Sequence, residues 1–368
     1  MRIALLHPTY WPEVRRGSER LIHDLAATLA GRGHDVTLLT THPGPASTTT
    51  EDGFTVVRSR RIPQPPTLGL HEDFLGNVPE AGWRLARGSF DLAHAFHLAP
   101  GWAAVKARRF GGPPVVFSFH GTPFRSHLVA RRYRLEMMQS VVAGAAAVSV
   151  LSEAAADPFR RYLLREPRIL PGGVLTGEFA VDRPRAERPT LLSAASLGDP
   201  RKRGELLLDG FRILRERVPD ARLEVARTPD PHLSPYRFEL PEGASWIEPG
   251  STAELARAYA GAHASVLAAR DEAFGLVLVE SLAAGTPAVA AASGASGEIL
   301  DRDGIGARFE GDSPDALAGA LARGLELGAD PETAARCRDR AAEFDWDRVA
   351  DLYEDAYEEA RGARAPAA

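Results

Sequence analysis

Residues 270–299 read RDEAFGLVLVESLAAGTPAVAAASGASGEI. Seven residues separate Glu272 from Glu280, and Ala273, Phe274, Gly275 and Leu276 fill the first half of the gap. SLAA continues a helical pattern, Gly-Thr-Pro makes a turn, and a short apolar run follows. The stretch predicts a loop, a helix start about two turns ahead of Glu280, and a turn into a strand. A loop entering a helix presents unpaired N–H groups and the positive end of the helix dipole. That end suits phosphate, and Gly275 lets the backbone approach a ligand closely. A carboxylate beside an anion site is unfavourable unless it accepts hydrogen bonds from hydroxyls. A ligand with a diphosphate and two hydroxyl-bearing rings, such as a sugar nucleotide, meets both demands. The plain alternative is a βα unit with two solvated glutamates.

The start of the chain repeats the pattern. Residues 2–7 (RIALLH) form a short apolar run ended by Pro8, as in a buried parallel strand. Residues 18–30 are apolar at 21, 22, 25, 26 and 29, a helical period, stopped by Gly31 and Gly33. Residues 35–40 (DVTLLT) complete a βαβ unit. Gly31-Arg32-Gly33 lies at a helix end, which removes it as a dinucleotide fingerprint. Gly17 precedes the helix, with Ser18 a candidate N-cap and Glu19 in the first turn. Further strands are expected at 54–58, 91–96, 115–119 and 146–151, helices at 83–86, 101–109 and 131–142, and a proline-rich loop at 63–69. His120 stands at the carboxyl end of 115–119, where open α/β sheets bind ligands. His94 lies inside a strand and reads as a satisfied core histidine.

A polar, proline-bearing segment at 171–189 reads as a linker, and residues 190–195 (TLLSAA) open a second series of apolar strands. The basic turn Arg201-Lys202-Arg203-Gly204 leads into a helical pattern at 205–216. A basic loop between strand and helix suits a diphosphate, or is a solvated turn. Strands follow at 222–226, 245–248, 264–268 and 287–291. Helices start near 252 and 314, and a last one runs over 345–360. Asp301 with Asp303, and Asp345 with Asp347, lie in a turn and at a helix start and read as structural.

On these residues the chain resembles the retaining glycosyltransferases of family 4. Glu272 and Glu280 match the E-x7-E signature. Gly17-Ser18-Glu19-Arg20 matches a Gly-Gly-x-Glu-Arg-like loop, with Arg16 in place of one glycine. His120, Ser152-Glu153 and the turn Pro171-Gly172-Gly173-Val174 fall at family positions, as does Lys202. The family's upstream arginine is absent: Leu197 falls near its place, and Arg201 is the candidate second cation. The resemblance covers nearly the whole chain in order. It implies the GT-B fold: two Rossmann-like, doubly wound parallel-sheet α/β domains facing a central cleft, with a C-terminal helix crossing back to the first. The implied boundaries are 1–170 for an acceptor-side domain, 171–189 for the linker, 190–344 for a nucleotide-sugar-binding domain and 345–368 for the helix and tail.

The resemblance further implies metal-independent transfer of a hexosyl group, with retention, from a UDP- or GDP-linked sugar to a hydroxyl of a glycan, lipid or small metabolite. Catalytic roles fall to His120, Glu272, Arg201 and Lys202. Donor-binding roles fall to Gly17, Ser18, Arg201, Lys202, Glu272, Ala273, Phe274, Gly275, Leu276 and Glu280. No cofactor is implied beyond the donor as co-substrate. A sugar-nucleotide epimerase or a phosphorylase on the same fold is an alternative. A phosphorylase of the glycogen type needs a cofactor lysine, and the only lysines are Lys106 and Lys202. A non-catalytic nucleotide-sugar-binding module is the alternative of another class.

The bulk numbers agree with two globular domains: 368 residues, 44% hydrophobic and 25% charged. The net charge of −5 argues neither for nor against nucleic acid. Residues 1–182 carry 21 Lys+Arg against 16 Asp+Glu, so the N-terminal half is basic. That suits an anionic acceptor or peripheral contact with an anionic membrane, or is a solvated arginine-rich surface. One cysteine, Cys337, excludes an internal disulfide. No run approaches the length of a membrane span, and the expectation is a cytoplasmic protein without a nucleic-acid partner.

Overall fold

A computed structural model describes residues 1–14, 16–62, 74–227 and 239–363, and the side chains of these except His127 and Val129. The loop expected at 63–69 and the tail beyond 363 lie outside the described residues. The chain divides into two units, Met1–Pro171 with Asp347–Ala368, and Gly172–Trp346.

The first unit alternates strand and helix. Strand β1 (Arg2–Leu6) is followed by α1 (Gly17–Gly31), β2 (Asp35–His42), β3 (Ser47–Glu51), β4 (Phe54–Arg60), α2 (Val78–Arg87), β5 (Leu92–Ala95) and α3 (Leu98–Ala107). Then come β6 (Val115–Phe119), α4 (Arg125–Val129), α5 (Arg132–Gly144), β7 (Ala147–Val150), α6 (Glu153–Leu163) and β8 (Arg168–Ile169). The sheet order is β3-β4-β2-β1-β5-β6-β7-β8. Every pairing is parallel except β3 with β4. The central strands are mostly apolar, as parallel strands covered on both faces are; Ile3, Leu5, Val56, Leu92, Val115 and Phe117 are fully buried. Ser18 is not the cap of α1: the N-cap position is Arg16, which makes no side-chain cap bond, and Ser18 is the second helical residue.

The second unit begins with α7 (Thr176–Phe179) and continues through β9 (Thr190–Ser193), α8 (Gly204–Arg217), β10 (Arg222–Ala226), β11 (Ala244–Ile247), α9 (Thr252–Gly261) and β12 (Ala264–Leu267). It closes with α10 (Leu276–Ala283), β13 (Ala288–Ala291), α11 (Ser296–Ile299), β14 (Gly306–Phe309), α12 (Pro314–Ala329) and α13 (Thr333–Ala341). Its all-parallel sheet runs β11-β10-β9-β12-β13-β14. Residues 172–189 pack with this unit: Phe179 is fully buried beside Tyr259. Gly173 has Trp346 on it, and a Cβ there would lie 2.4 Å from the indole.

The last helix, α14 (Trp346–Gly362), belongs from Asp347 onward to the first unit. Arg32 donates to Asp351 and Glu354, and His34 pairs with Glu354 at 2.7 Å. Tyr353 donates to the carbonyl of Pro171 at 3.1 Å. Beneath them His94 is satisfied on both nitrogens, Nδ1 with the Tyr357 hydroxyl at 2.7 Å and Nε2 with Ser118 Oγ at 2.6 Å. His94 is the core histidine that its place in a strand predicted. Tyr357→Phe keeps the packing and removes one partner of a buried ring. It is expected to destabilise the first unit by about 1–2 kcal/mol, read as a shift of its denaturant midpoint.

Candidate functional site

In both sheets the strand order reverses beside the first strand of the unit. In the second unit β9 has β10 on one side and β12 on the other. Ligands bind outside the carboxyl ends of strands at such a switch point, because successive loops there turn away from each other and leave a crevice. The loop after β9 carries Arg201, Lys202 and Arg203, and the loop after β12 carries residues 268–275.

The three cations of the first loop go separate ways. Arg201 points outward, its side chain 65% exposed, and pairs with Asp199 at 2.6 Å. Burial disfavours the charge of Asp199, but the bonds from Arg201 hold its carboxyl below the usual range. Lys202 Nζ donates to Glu272 Oε2, and both side chains are more than four-fifths buried. Arg203, at φ 50°, turns inward: Nε donates to the Ala268 carbonyl and Nη1 to the Gly311 carbonyl, while the guanidinium lies over Phe309. The structure thus brings Lys202 and Glu272 together and leaves Arg201 at the surface.

Glu272 is fixed through its backbone. Its carbonyl accepts from Ala295 N at 2.8 Å, and Asp271 N donates to Ser293 Oγ at 3.1 Å. Gly294 lies so close that a Cβ would stand 2.4 Å from the Glu272 carbonyl oxygen and 2.5 Å from its nitrogen. Ala273 and Phe274 bury their side chains, Phe274 against Phe344, so they offer a ligand backbone only. Gly275 caps α10 at φ 92°, a conformation that favours glycine. The first-turn N–H groups from Leu276 onward have no carbonyl a turn earlier within the helix. Glu280 is the fifth residue of α10, so it stands in the second turn, nearer the helix start than the sequence suggested. It is 3% exposed, and its Oε2 accepts from the Tyr259 hydroxyl at 3.2 Å.

In the first unit the switch point lies between β1 and β5. His7 follows β1, His97 follows β5, and His120 follows β6, the next strand. His7 and His97 meet edge to face with centroids 6.1 Å apart, and Phe96 lies 5.0 Å from the His120 ring. Both His120 nitrogens are buried without a hydrogen-bond partner among the described residues. Burial drives His120 and His97 down to about 3, and the neighbouring His7 pushes the same way. Both rings are therefore neutral. Glu19, in the first turn of α1, accepts from Thr9 Oγ1 at 2.7 Å, and its Oε2 is buried without a hydrogen-bond partner among the described residues. Gly17 opens α1 at the surface, where a Cβ would meet nothing within 4 Å. His7 and His97 were not expected as site residues, although His7 ends one predicted strand and His97 follows another, as His120 does.

These burials fix a pH response. A histidine in the unfolded chain titrates near 6.5. Folded His94, His97 and His120 refuse the proton well below that. Their contribution to stability is whole above pH 6.5 and is lost as the pH falls from there, by about 1.4 kcal/mol per pH unit for each ring. Between pH 6 and 4 the slope of unfolding free energy against pH in His94→Gln is expected to be shallower by that amount, measured by denaturant titration.

Comparison with known proteins matches both parts of the chain to glycosyltransferase families. Residues 15–177 match the family model Glycosyltransferase Family 4, and residues 178–344 match Glycosyl transferases group 1. D-inositol 3-phosphate glycosyltransferase of Actinosynnema mirum is 27% identical, over 91% of this chain and 90% of that protein. Phosphatidyl-myo-inositol mannosyltransferase of Mycobacterium tuberculosis is 29% identical, over 88% and 86%. Sucrose-phosphate synthase from Thermosynechococcus elongatus superposes with a TM-score of 0.82 at 21% identity, over 98% of this chain and 99% of that one. The Anabaena HepE protein, solved with UDP-glucose, superposes at 0.71 and 15% identity, over 97% and 99%.

Proposed function

The chain belongs to the glycosyltransferases of family 4 and group 1, with the GT-B fold, and from that premise we propose a retaining hexosyltransferase that needs no metal ion. Its donor is a UDP- or GDP-linked sugar, and its acceptor is a hydroxyl of a glycan, lipid-linked molecule or small metabolite. The observation that carries the reading is the buried Lys202–Glu272 pair beside the start of α10.

The pair reconciles a carboxylate with an anion site. An ammonium has three protons, so Lys202 holds Glu272 with one and offers others to a diphosphate. Glu272, neutralised in this way, repels the diphosphate less and accepts from hydroxyls of the transferred sugar. As the bond to the anomeric carbon breaks, charge grows on the leaving diphosphate. Lys202 and the N–H groups around Phe274, Gly275 and Leu276 stabilise it without rearranging. Glu280 accepts from the ribose hydroxyls, since a carboxylate has room for donors besides Tyr259. Neutral His120 gives a sugar hydroxyl one donor and one acceptor, and the backbone at Gly17 and Ser18 is open to the donor. Arg201 contributes long-range attraction from the surface. The chemistry has no protein nucleophile in this reading.

Lys202→Ala is expected to lower kcat/KM for nucleotide-sugar turnover by about 10²–10³-fold, equivalent to roughly 2.7–4 kcal/mol, and Glu280→Ala to raise KM for the donor. Turnover should persist after exhaustive EDTA treatment, and the product anomer, read by NMR, should match the donor. Normal kinetics in a folded Lys202→Ala variant would sink the site assignment, and an inverted product would sink retention alone.

We also assign the first unit a peripheral contact with an anionic membrane from the cytoplasmic side. Trp83, 57% exposed with Arg87 over its ring, and Phe110, 77% exposed beside Arg109, support it, since exposed aromatics among arginines suit a headgroup layer. Among the described residues no helix is long and apolar enough to cross a membrane. The protein should co-sediment with vesicles containing phosphatidylserine at low salt. Trp83→Ala with Phe110→Ala should weaken that binding, and equal binding to purely zwitterionic vesicles would rule out the charge argument.

A further inference from the structure

One strand of the second sheet carries an acid where its neighbours are apolar. Along β10, Leu223 and Val225 are fully buried, in a core shared with Leu207, Phe211 and Leu214 of α8. Glu224 lies between them, so the period of two turns its side chain to the opposite face of the sheet. Strands of a parallel sheet are ordinarily apolar on both faces. Among the described residues the Glu224 carboxylate has no hydrogen bond and no ion pair. Burial raises it above the usual carboxylate range, and the more distant charge of Arg183 only partly opposes the rise.

Glu224 opens into a groove of about 210 Å³ between β10 and α9. One stripe of α9 forms the facing wall, with Glu254, Arg257, Ala258 and Gly261 at i, i+3, i+4 and i+7. The small residues of the stripe leave room beside the sheet. Arg183 closes the end at Gly261: its Nη1 donates to the Arg257 carbonyl at 2.9 Å, and a Cβ on Gly261 would lie 3.2 Å from the guanidinium carbon. Glu254, one turn before Arg257, is held by Gly250 N, which donates to its Oε2 at 2.7 Å. The Arg257 side chain has no hydrogen bond and no ion pair among the described residues.

An arginine and a glutamate lining one groove gain by closing on each other, as Arg215 and Glu242 of the same unit do at 3.0 Å. Glu224 and Arg257 do not, and open space lies between them. A ligand with a single charge would be answered by one wall and opposed by the other. A ligand with both charges is answered by both. A cavity of about 150 Å³ admits benzene, and β-alanine is close to benzene in size.

We propose that this groove binds a small zwitterion of the amino-acid class, its ammonium on Glu224 and its carboxylate on Arg257. The groove lies on the flank of the second sheet, whereas the donor site proposed above lies at the carboxyl ends of β9 and β12. The ligand class does not rest on the transferase reading.

The test titrates the full chain with β-alanine, followed by saturation-transfer NMR, and repeats the titration with propionate and with propylamine, which each carry one of its two charges. β-Alanine is expected to bind, and each analogue to bind at least about tenfold more weakly. Glu224→Gln and Arg257→Gln should each weaken β-alanine about tenfold or more, as for a lost hydrogen bond to a charged group. A carboxyl raised by burial costs stability once the pH passes its folded value, and costs none below its unfolded value of about 4.3. Glu224→Gln should therefore raise the melting temperature of the free protein more at pH 8 than at pH 4, which also reports that the variant folds. Ala258→Phe fills the groove and should abolish β-alanine binding in a protein that still unfolds cooperatively. Excess UDP or GDP should leave β-alanine bound. Absence of β-alanine binding, equal binding of either analogue, undiminished affinity in any of the three variants, or displacement by a nucleotide would overturn the proposal.

Discussion

Glycine at position 294 leaves the backbone of Glu272 the only space it could occupy. Its φ of +64° is one that side chains rarely adopt, and any Cβ would overlap both the nitrogen and the carbonyl oxygen of Glu272. With that contact made, Ser293 and Ala295 bond the chain on either side of Glu272. The loop after β12 is thereby laid on the loop after β13. From the other side Lys202 reaches the Glu272 carboxylate out of the loop after β9. Loops from three adjacent strands are thus joined through one residue. A carboxylate held in this way needs no reorganisation when a ligand arrives, which is the condition under which fixed charges do most for a reaction.

The two units treat charge in opposite ways. At the carboxyl edge of the first, burial keeps His97 and His120 neutral, and His94 beneath them is neutral too. At the edge of the second, acidic and basic side chains stand in pairs: Lys202 with Glu272, Arg201 with Asp199, and Arg203 and Arg270 with Asp312. A neutral imidazole exchanges hydrogen bonds with hydroxyls, whereas paired cations answer a phosphate.

Most of the architecture was legible because parallel strands covered on both faces are continuous apolar runs. RIALLH, VVFSF and TLLS could be read as strands without help from their neighbours. Besides the two-residue β8, the strands missed were those whose burial comes from elsewhere. β3 is Ser47–Glu51, polar and exposed, and exists only because β4 offers it an edge. β14 has little apolar sequence and is held by its register with β13. In the site, residue types and spacing singled out Glu272, Glu280, Lys202 and His120. Spacing could not show that Lys202 and Glu272 pair, since they are 70 positions apart and meet only because β9 and β12 are neighbours. Nor could it show that Gly294 serves Glu272. The mistaken cap at Ser18 has a simple cause: α1 starts at Gly17, two residues before a Ser18 cap would place it, so Ser18 already has helical neighbours on both sides.

The fate of the basic turn decides how a diphosphate can be held. Leu197, near the place of the family's missing arginine, is buried in the apolar core of its unit. Arg201 is solvent-facing and tied to Asp199, and Arg203 turns away to bond Ala268, Gly311 and Asp312 through Nε and Nη1. That leaves Lys202 as the cation of this turn directed at the Glu272 loop, and its charge is matched by a carboxylate. The pair is close to neutral, so attraction for a diphosphate cannot rest on net charge at this point. It has to come from directed donors: the remaining protons of Lys202 and the N–H groups at the start of α10. Directed donors lose strength quickly when displaced, so in the donor site proposed above the placement set by Gly275 and Gly294 matters more than an additional arginine would.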